Sequence, residues 1–248
     1  MKGKKLAQLA TLFTVMAGFA FTASASVTSD TALQQEIQSK LKNKQFSQVT
    51  VASNHGIVTL TGTVDKYQAK IDAEKKARKA SGVKEVDDQI EVAGKQVPDN
   101  VLQQTLNRKL SYDRYGYGHV FNNVVATVND GTVTLDGQVR WDPDKDSALA
   151  LVSNQDGVKD VIDRVKVLPT SIADDDLRAR EYRALYGDSS LAKYGIDPAA
   201  PIRIVVDNGH VALYGTVISE ADKNIAGIRA NSVFGAFSVQ NNLTVNKG

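Results

Sequence analysis

The sequence contains one ten-residue pattern three times, and this repetition constrains the fold more than any other feature. The copies are HGIVTLTGTV (55–64), DGTVTLDGQV (130–139) and NGHVALYGTV (208–217). Segments beginning at Gly82, Gly157 and Gly235 follow the three copies at the same spacing. This constant register predicts three tandem copies of one structural unit. We place them at residues 31–93 (repeat 1), 99–168 (repeat 2) and 173–246 (repeat 3).

Each unit begins with a helical pattern. Apolar residues recur at four-residue steps in repeats 1 and 2, and repeat 3 keeps the spacing with a glutamate in the middle. The three sets are Leu33, Ile37, Leu41; Leu102, Leu106, Leu110; and Leu177, Glu181, Leu185. Aspartates precede or open these segments, at Asp30, Asp99 and Asp174 to Asp176, where a carboxylate can cap a helix or favour its dipole. The third helix is interrupted early, at Tyr186 and Gly187.

An alternating strand and the quoted strand follow, joined by a two-residue turn. His55-Gly56, Asp130-Gly131 and Asn208-Gly209 occupy the turns, and the Asp-Gly and Asn-Gly pairs favour type I′ hairpins. Centring the turns there pairs Val128 with Val133 and predicts one apolar and one polar sheet face. Six glycines are predicted to be structural, namely Gly56, Gly62, Gly131, Gly137, Gly209 and Gly215. We expect the three mid-strand members, at 62, 137 and 215, to let a helix approach the sheet closely.

A second helix with small residues on one stripe and a final aliphatic strand complete each unit. The stripes are Ala73 and Ala77, Ala148 and Val152, and Ala226 and Ala230. The predicted fold class is α+β: three tandem helix-strand-strand-helix-strand units, each a small mixed three-stranded sheet with two helices on one face.

The N-terminal residues have the pattern of an export signal. Three lysines precede an apolar run from Leu6 to Phe21, and Ala23-Ser24-Ala25 has the A-x-A spacing of a cleavage site. We therefore predict a signal peptide over residues 1–25, which is favoured over a membrane anchor because the apolar run is short. Without those lysines, the chain has 27 basic and 28 acidic residues. This balance gives no support for nucleic acid as a partner.

The sequence offers no catalytic or metal-binding constellation. It has no cysteine and three histidines, of which His55 and His210 belong to hairpins and His119 to a loop. The spacings of zinc proteases, serine hydrolases and P-loops are absent, so we expect no enzyme activity, no metal and no cofactor. The Asp174–Asp176 run could bind a cation, but a solvated helix start is the simpler interpretation. Asp88, Asp163 and Asn241 recur in the last strand and favour a local hydrogen-bonding role.

One stretch, SYDRYGYGHVFNN (111–123), is unusually rich in aromatic residues. Hairpin topology brings this loop to the end of the sheet where the second strand of repeat 2 leaves. Aromatic rings beside positive charge suit the boundary between acyl chains and anionic headgroups. The alternative is that the aromatics pack against the sheet edge or a neighbouring repeat. The candidate membrane or ligand contacts are Tyr112, Arg114, Tyr115, Tyr117, Phe121, Arg140 and Trp141.

The motif G-x-V-x-L-x-G-x-V, the alanine-bearing helix and the closing G-V-x-x-V strand together resemble the BON domain. The resemblance covers nearly the whole chain after the signal and is weakest in the first helix of repeat 3. It implies a periplasmic protein of the cell envelope, related to an osmotically inducible type, that binds anionic phospholipid membrane surfaces and supports envelope integrity under osmotic or other stress. Other envelope proteins are further possible partners that this resemblance implies. A chaperone-like binder of exported or outer-membrane proteins is the alternative function.

Overall fold

The computed structural model describes residues 20–112, 119–197 and 201–246. Three α+β units follow one another along the chain, which confirms the predicted fold class. Residue contacts divide the chain into two compact units, one built on repeat 1 and the other containing repeats 2 and 3. No helix in the described ranges is both long and apolar enough to cross a membrane.

Repeat 1 has the predicted order of elements, with an earlier start. Its elements are α1 (Ala20–Lys40), β1 (Val49–Asn54), β2 (Ile57–Val64), α2 (Tyr67–Arg78) and β3 (Glu85–Val92), and the sheet order is β1-β2-β3. The predicted helix start after Asp30 is wrong. The helix begins at Ala20, and residues 20–40 contain no glycine or proline that would interrupt it. Residues 1–19 of the predicted signal peptide lie outside the described residues.

Repeat 2 is the most regular unit. Its elements are α3 (Asp99–Tyr112), β4 (Asn123–Asn129), β5 (Thr132–Val139), α4 (Asp142–Ser153) and β6 (Asp160–Val167). Strand β5 lies in the middle, antiparallel to β4 and parallel to β6. The crossover through α4 therefore produces the parallel neighbour that the sequence predicts.

Repeat 3 keeps this topology with a broken sheet. Its elements are α5 (Ile172–Tyr186), β7 (Arg203–Asp207), β8 (His210–Tyr214), β9 (Thr216–Val217), α6 (Glu220–Asn231), β10 (Ser238–Asn241) and β11 (Thr244–Val245). Helix α5 ends at Tyr186, as predicted, and a short 3-10 helix follows at Ala192–Gly195.

The helices of repeats 2 and 3 cover one face of the sheet in each unit. In repeat 2, buried leucines of α3 and the small residues of α4 pack with Val133 and Leu135 of β5. All six small residues predicted on the second helices are at most 3 % exposed. The helical and strand patterns in the sequence therefore identify the core correctly.

The three hairpins have the predicted register. Val128 pairs with Val133, Val206 with Val211 and Ser53 with Val58. Both turn residues have positive φ in every copy, including His55 at 54° in the least usual turn. Positive φ at both positions defines the type I′ hairpin, which matches the twist of the strands.

The mid-strand glycines are needed for a reason other than the expected one. Gly137 has a φ of 129°, and a Cβ there would lie 1.9 Å from the carbonyl oxygen of Asn123 on the partner strand. Gly62 has the same relation to the carbonyl of Gln48. The backbone that approaches closely is therefore the neighbouring strand, and the predicted close approach of a helix is not the cause.

An aspartate clamp joins the first helix of each repeat to its hairpin. The carboxylate of Asp99 accepts hydrogen bonds from the backbone N–H groups of Asp130 and Gly131, at 2.6 and 3.0 Å. Asp174 binds the amides of Asn208 and Gly209 in the same way. Asp30 binds the corresponding pair in repeat 1, and the hydrogen bond from the His55 amide lowers its pKa. These aspartates were predicted to act at helix starts, and their hydrogen bonds go to the hairpins.

The recurring polar residue of the last strand makes a local hydrogen bond in each copy, as predicted. Asp88, Asp163 and Asn241 each accept from the backbone amide two residues further on. This is the bond pattern by which short polar side chains compete with regular strand pairing.

Candidate functional site

The exposed aromatic feature of repeat 2 lies where β5 ends. The backbone N–H of Arg140 donates to Asn122 Oδ1 at 2.8 Å, so the chain entering β4 is tied to the chain leaving β5. Trp141 follows, precedes α4 in an extended conformation and is 48 % exposed. The Arg140 guanidinium lies 4.3 Å from the centre of the indole ring. The site is therefore a half-exposed indole with a stacked cation.

Arg140 forms an ion pair with a residue of repeat 3. Its Nη2 lies 2.8 Å from Oδ1 of Asp175, and the same oxygen accepts from Arg178 Nη1 at 2.6 Å. Burial alone would raise the pKa of Asp175, but the hydrogen bonds and charges of the two arginines lower it overall. One carboxylate thus faces two guanidinium groups, and the Asp174 carboxylate also acts on Arg178, so the charges of this cluster are balanced beside Trp141.

Phe121 belongs to the core of repeat 3. It is 1 % exposed and packs with the buried residues of that unit, and its ring meets Tyr182 edge to face at a centroid distance of 6.3 Å. For this residue the alternative interpretation holds: an aromatic side chain of the loop packs against the neighbouring repeat. Phe121 is not available to a membrane surface.

Tyr112 lies at a different place from Trp141. It is 38 % exposed and lines a shallow depression of about 280 Å³ with Arg108, Lys109 and Leu151. Leu151 is ten residues beyond Trp141 on α4, about 15 Å along the helix axis. Tyr112 and Trp141 are therefore separate surface features. Arg114, Tyr115 and Tyr117 lie outside the described residues and stay predictions.

Most histidines and the acidic run have structural partners. His55 Nδ1 lies 2.6 Å from Asn54 Oδ1, and His210 Nδ1 lies 2.8 Å from Ser238 Oγ. Asp174 is 3 % exposed and holds a hairpin, so the expected solvated helix start is wrong for this residue. No group of three or more potential metal ligands exists in the part of the chain that the structure describes.

Two features of repeat 3 were missed as sites by the sequence reasoning. Glu181 is fully buried, although its place in the apolar stripe was visible. Phe234 and Phe237 are strongly exposed, and aligning the three repeats would have revealed them as aromatic residues at positions that are polar elsewhere.

These observations define the class of protein: tandem small α+β units with structural carboxylates and exposed aromatic features. The BON-domain model matches residues 29–94, 98–169 and 188–247, and the chain belongs to this family. BON domains are known for association with membranes and phospholipids in envelope proteins, and the family is generally non-catalytic.

Comparison with solved structures finds CdsD, a structural protein of the type III secretion system of Chlamydia trachomatis. One structure has 19 % sequence identity and a TM-score of 0.25, over 86 % of this chain and 92 % of the other. The C-terminal domain of CdsD has 18 % identity and a TM-score of 0.23, over 88 % and 96 %. Similarity at this level carries no functional argument. A search of curated proteins gave no match.

Proposed function

We propose that this protein is a non-catalytic component of the periplasm that binds phospholipid membrane surfaces. In this role it supports the integrity of the cell envelope under osmotic or other stress. Membership of the BON-domain family supports the membrane association. The N-terminal sequence supports export, and a mature chain beginning at Ser26, found by N-terminal sequencing of the periplasmic fraction, is the expected result.

The observation that carries the proposal is the pairing of Trp141 with Arg140. A half-exposed indole has an apolar body and a polar N–H, which suits the zone between headgroups and acyl chains. The guanidinium on its face is 18 % exposed and pairs with Asp175, so it offers the headgroups a shared positive charge while the ring enters the apolar zone. Because Asp175 shares the charge of Arg140, we expect a moderate preference for anionic lipid.

Vesicle binding tests the proposal directly. The mature protein is sedimented with phosphatidylcholine vesicles, with and without phosphatidylglycerol, and Trp141→Ala is expected to weaken binding while leaving folding nearly intact. Added salt should weaken binding to the anionic vesicles by screening. Trp141→Phe is the matched control, since it keeps an apolar ring and should retain part of the affinity.

Fluorescence adds a local measurement, because Trp141 is the only tryptophan in the chain. Its emission should shift to shorter wavelength when vesicles are added. A spectrum that stays unchanged while the protein sediments with vesicles would exclude Trp141 as the contact. Absence of sedimentation with either vesicle type would overturn the proposed function.

The exposed apolar side chains of repeat 3 favour a second function, that of a chaperone-like binder of exported or outer-membrane proteins. Ile172 and Ile196 are 84 and 81 % exposed, so both are available to apolar segments of a partner protein. Suppression of the aggregation of an unfolded outer-membrane protein, without vesicle binding, would favour this function over the first.

A further inference from the structure

The turn between α6 and β10, residues 232–237, exposes two phenylalanines. Phe234 is 91 % exposed and Phe237 is 79 % exposed. Val233 and Ala236 of the same turn pack against the core of repeat 3. The turn is therefore anchored by small apolar side chains, while the Phe234 ring projects into water and the Phe237 ring lies over the hairpin with most of its surface exposed.

The other two repeats have polar residues at both positions. The constant spacing of the repeats aligns Phe234 with Ser81 and Asp156, and Phe237 with Lys84 and Lys159. In repeat 2, the Lys159 ammonium pairs with the Asp130 carboxylate at 2.8 Å. Asn208 stands in place of Asp130 in repeat 3, so an uncharged amide and an aromatic ring replace the charged pair of repeat 2.

The backbone of the turn is held in the same way in all three copies. The N–H of Phe237 donates to the carbonyl of Gly209 at 2.8 Å, and Lys159 donates to Gly131 at 2.9 Å. A Cβ on Gly209 would lie 2.7 Å from the Phe237 ring, and one on Gly131 would lie 2.8 Å from the Lys159 stem. Because a lysine stem fills the same position, the fold does not require the aromatic residues.

Further groups lie at the same end of repeat 3, where the His210 ring meets the Phe237 ring edge to face at a centroid distance of 6.0 Å. Ile172, which is 84 % exposed, is two residues from Asp174, whose carboxylate accepts from the Gly209 amide at 2.8 Å. Arg180 Nη2 lies 3.1 Å from the position of a Cβ on Gly235, between the two phenylalanines. We call Ile172, Arg180, Phe234 and Phe237 the third-repeat tip.

We propose that the third-repeat tip inserts Phe234 and Phe237 into the headgroup and acyl-chain boundary of a phospholipid bilayer, with Arg180 against a lipid phosphate. This inference rests on the lipid binding proposed above and names a second surface for it. A ring that is 91 % exposed projects from the protein, and a fluid bilayer can surround it on all sides. The guanidinium beside the rings complements the negative phosphate.

The repeats themselves supply the variant that tests this inference. In the full mature chain, Phe234→Ser with Phe237→Lys installs the residues that repeat 1 tolerates in the same turn, so folding should persist. Removing two apolar contacts should weaken binding to phosphatidylcholine vesicles about tenfold or more, and these neutral vesicles are used because the introduced lysine would itself attract anionic lipid. Ile218→Ser is the control: it removes another exposed apolar residue, 67 % exposed, just before α6 begins. Arg180→Gln should reduce binding mainly to vesicles that contain phosphatidylglycerol.

A spin label reports insertion directly, because the chain contains no cysteine. A nitroxide on Phe234→Cys should become protected from a water-soluble relaxing agent when vesicles bind, and a nitroxide on Ile218→Cys should stay accessible. If the unmodified protein binds vesicles, but the double variant binds equally well and the label at 234 stays in water, this inference is overturned and the proposed function stands. If the unmodified protein binds no vesicles, both fall.

Discussion

Glu181 lies in the middle of the buried stripe of α5, where repeats 1 and 2 have Ile37 and Leu106. All three side chains are 0 % exposed. Neither carboxylate oxygen of Glu181 has a hydrogen-bond partner among the described residues. Burial raises the pKa of Glu181 to about 8, against a smaller lowering effect of the Arg180 charge. The folded protein therefore holds this side chain protonated and neutral at pH 7.

Glu181 should make the stability of repeat 3 depend on pH. The unfolded chain loses this proton near pH 4.5 and the folded chain near pH 8, so the free energy of unfolding falls as pH rises through this window. The loss should amount to a few kcal/mol. We expect Glu181→Leu to be more stable than the natural protein, with a larger gain at pH 8 than at pH 5, in urea denaturation.

Glu181→Gln is the control for this prediction, because it keeps the polar group and removes the ionisation. It should flatten the pH dependence as the leucine variant does. An equal gain for Glu181→Leu at both pH values would mean that Glu181 does not carry a raised pKa.

At the scale of the hairpin, the mid-strand glycine is the most sensitive position. Gly137→Ala places a methyl group 1.9 Å from the Asn123 carbonyl oxygen and forces an L residue to a φ of 129°. We expect a loss of at least about 2 kcal/mol in unfolding free energy, from strain and displacement of β4. Gln138→Ala, one residue further on the other sheet face, should change stability far less. Equal denaturation midpoints for the two variants would contradict this explanation.

Hairpin position and register could be predicted because Asp-Gly and Asn-Gly turns and alternating residues fix them locally. The cause of the Gly137 requirement could not, since it depends on how closely β4 and β5 approach each other. The hydrogen bonds of the aspartate clamps could not be predicted from the sequence for a similar reason. A carboxylate such as Asp99 is equally compatible with a helix start, and only the folded geometry brings it to amides about thirty residues away.

At the scale of the whole molecule, Phe121 of repeat 2 is part of the core of repeat 3. Phe121→Ala should cost about 3 to 5 kcal/mol, because it empties a position that is 1 % exposed. We expect amide hydrogen exchange to accelerate in β7 and β8, although the substitution lies in repeat 2. Trp141→Ala, which alters a half-exposed aromatic residue, should leave those rates nearly unchanged. Equal effects of the two substitutions would contradict the place of Phe121 in the core of repeat 3.

Only part of the candidate site in the aromatic loop could be predicted from the sequence. Topology correctly placed Arg140 and Trp141 where β5 ends, next to the chain that enters β4. Composition alone could not separate Phe121, which is buried, from Trp141, which is half-exposed, because both are aromatic side chains with the same tendency to bury. The residues that distinguish them belong to repeat 3. Tyr182 packs against Phe121, and Asp175 binds Arg140, whose guanidinium lies on the Trp141 ring.

The burial of Phe121 in the core of repeat 3 has a consequence for the order in which the chain acquires its structure. A polypeptide emerges from the ribosome with its N-terminus first, so repeat 2 is complete before the residues that cover Phe121 have been made. Until α5 and the strands of repeat 3 follow, this ring stays uncovered and can attract other nascent chains. A product truncated between repeats 2 and 3 would keep the Phe121 ring exposed. We therefore expect proteases that remove misfolded proteins to degrade such a product.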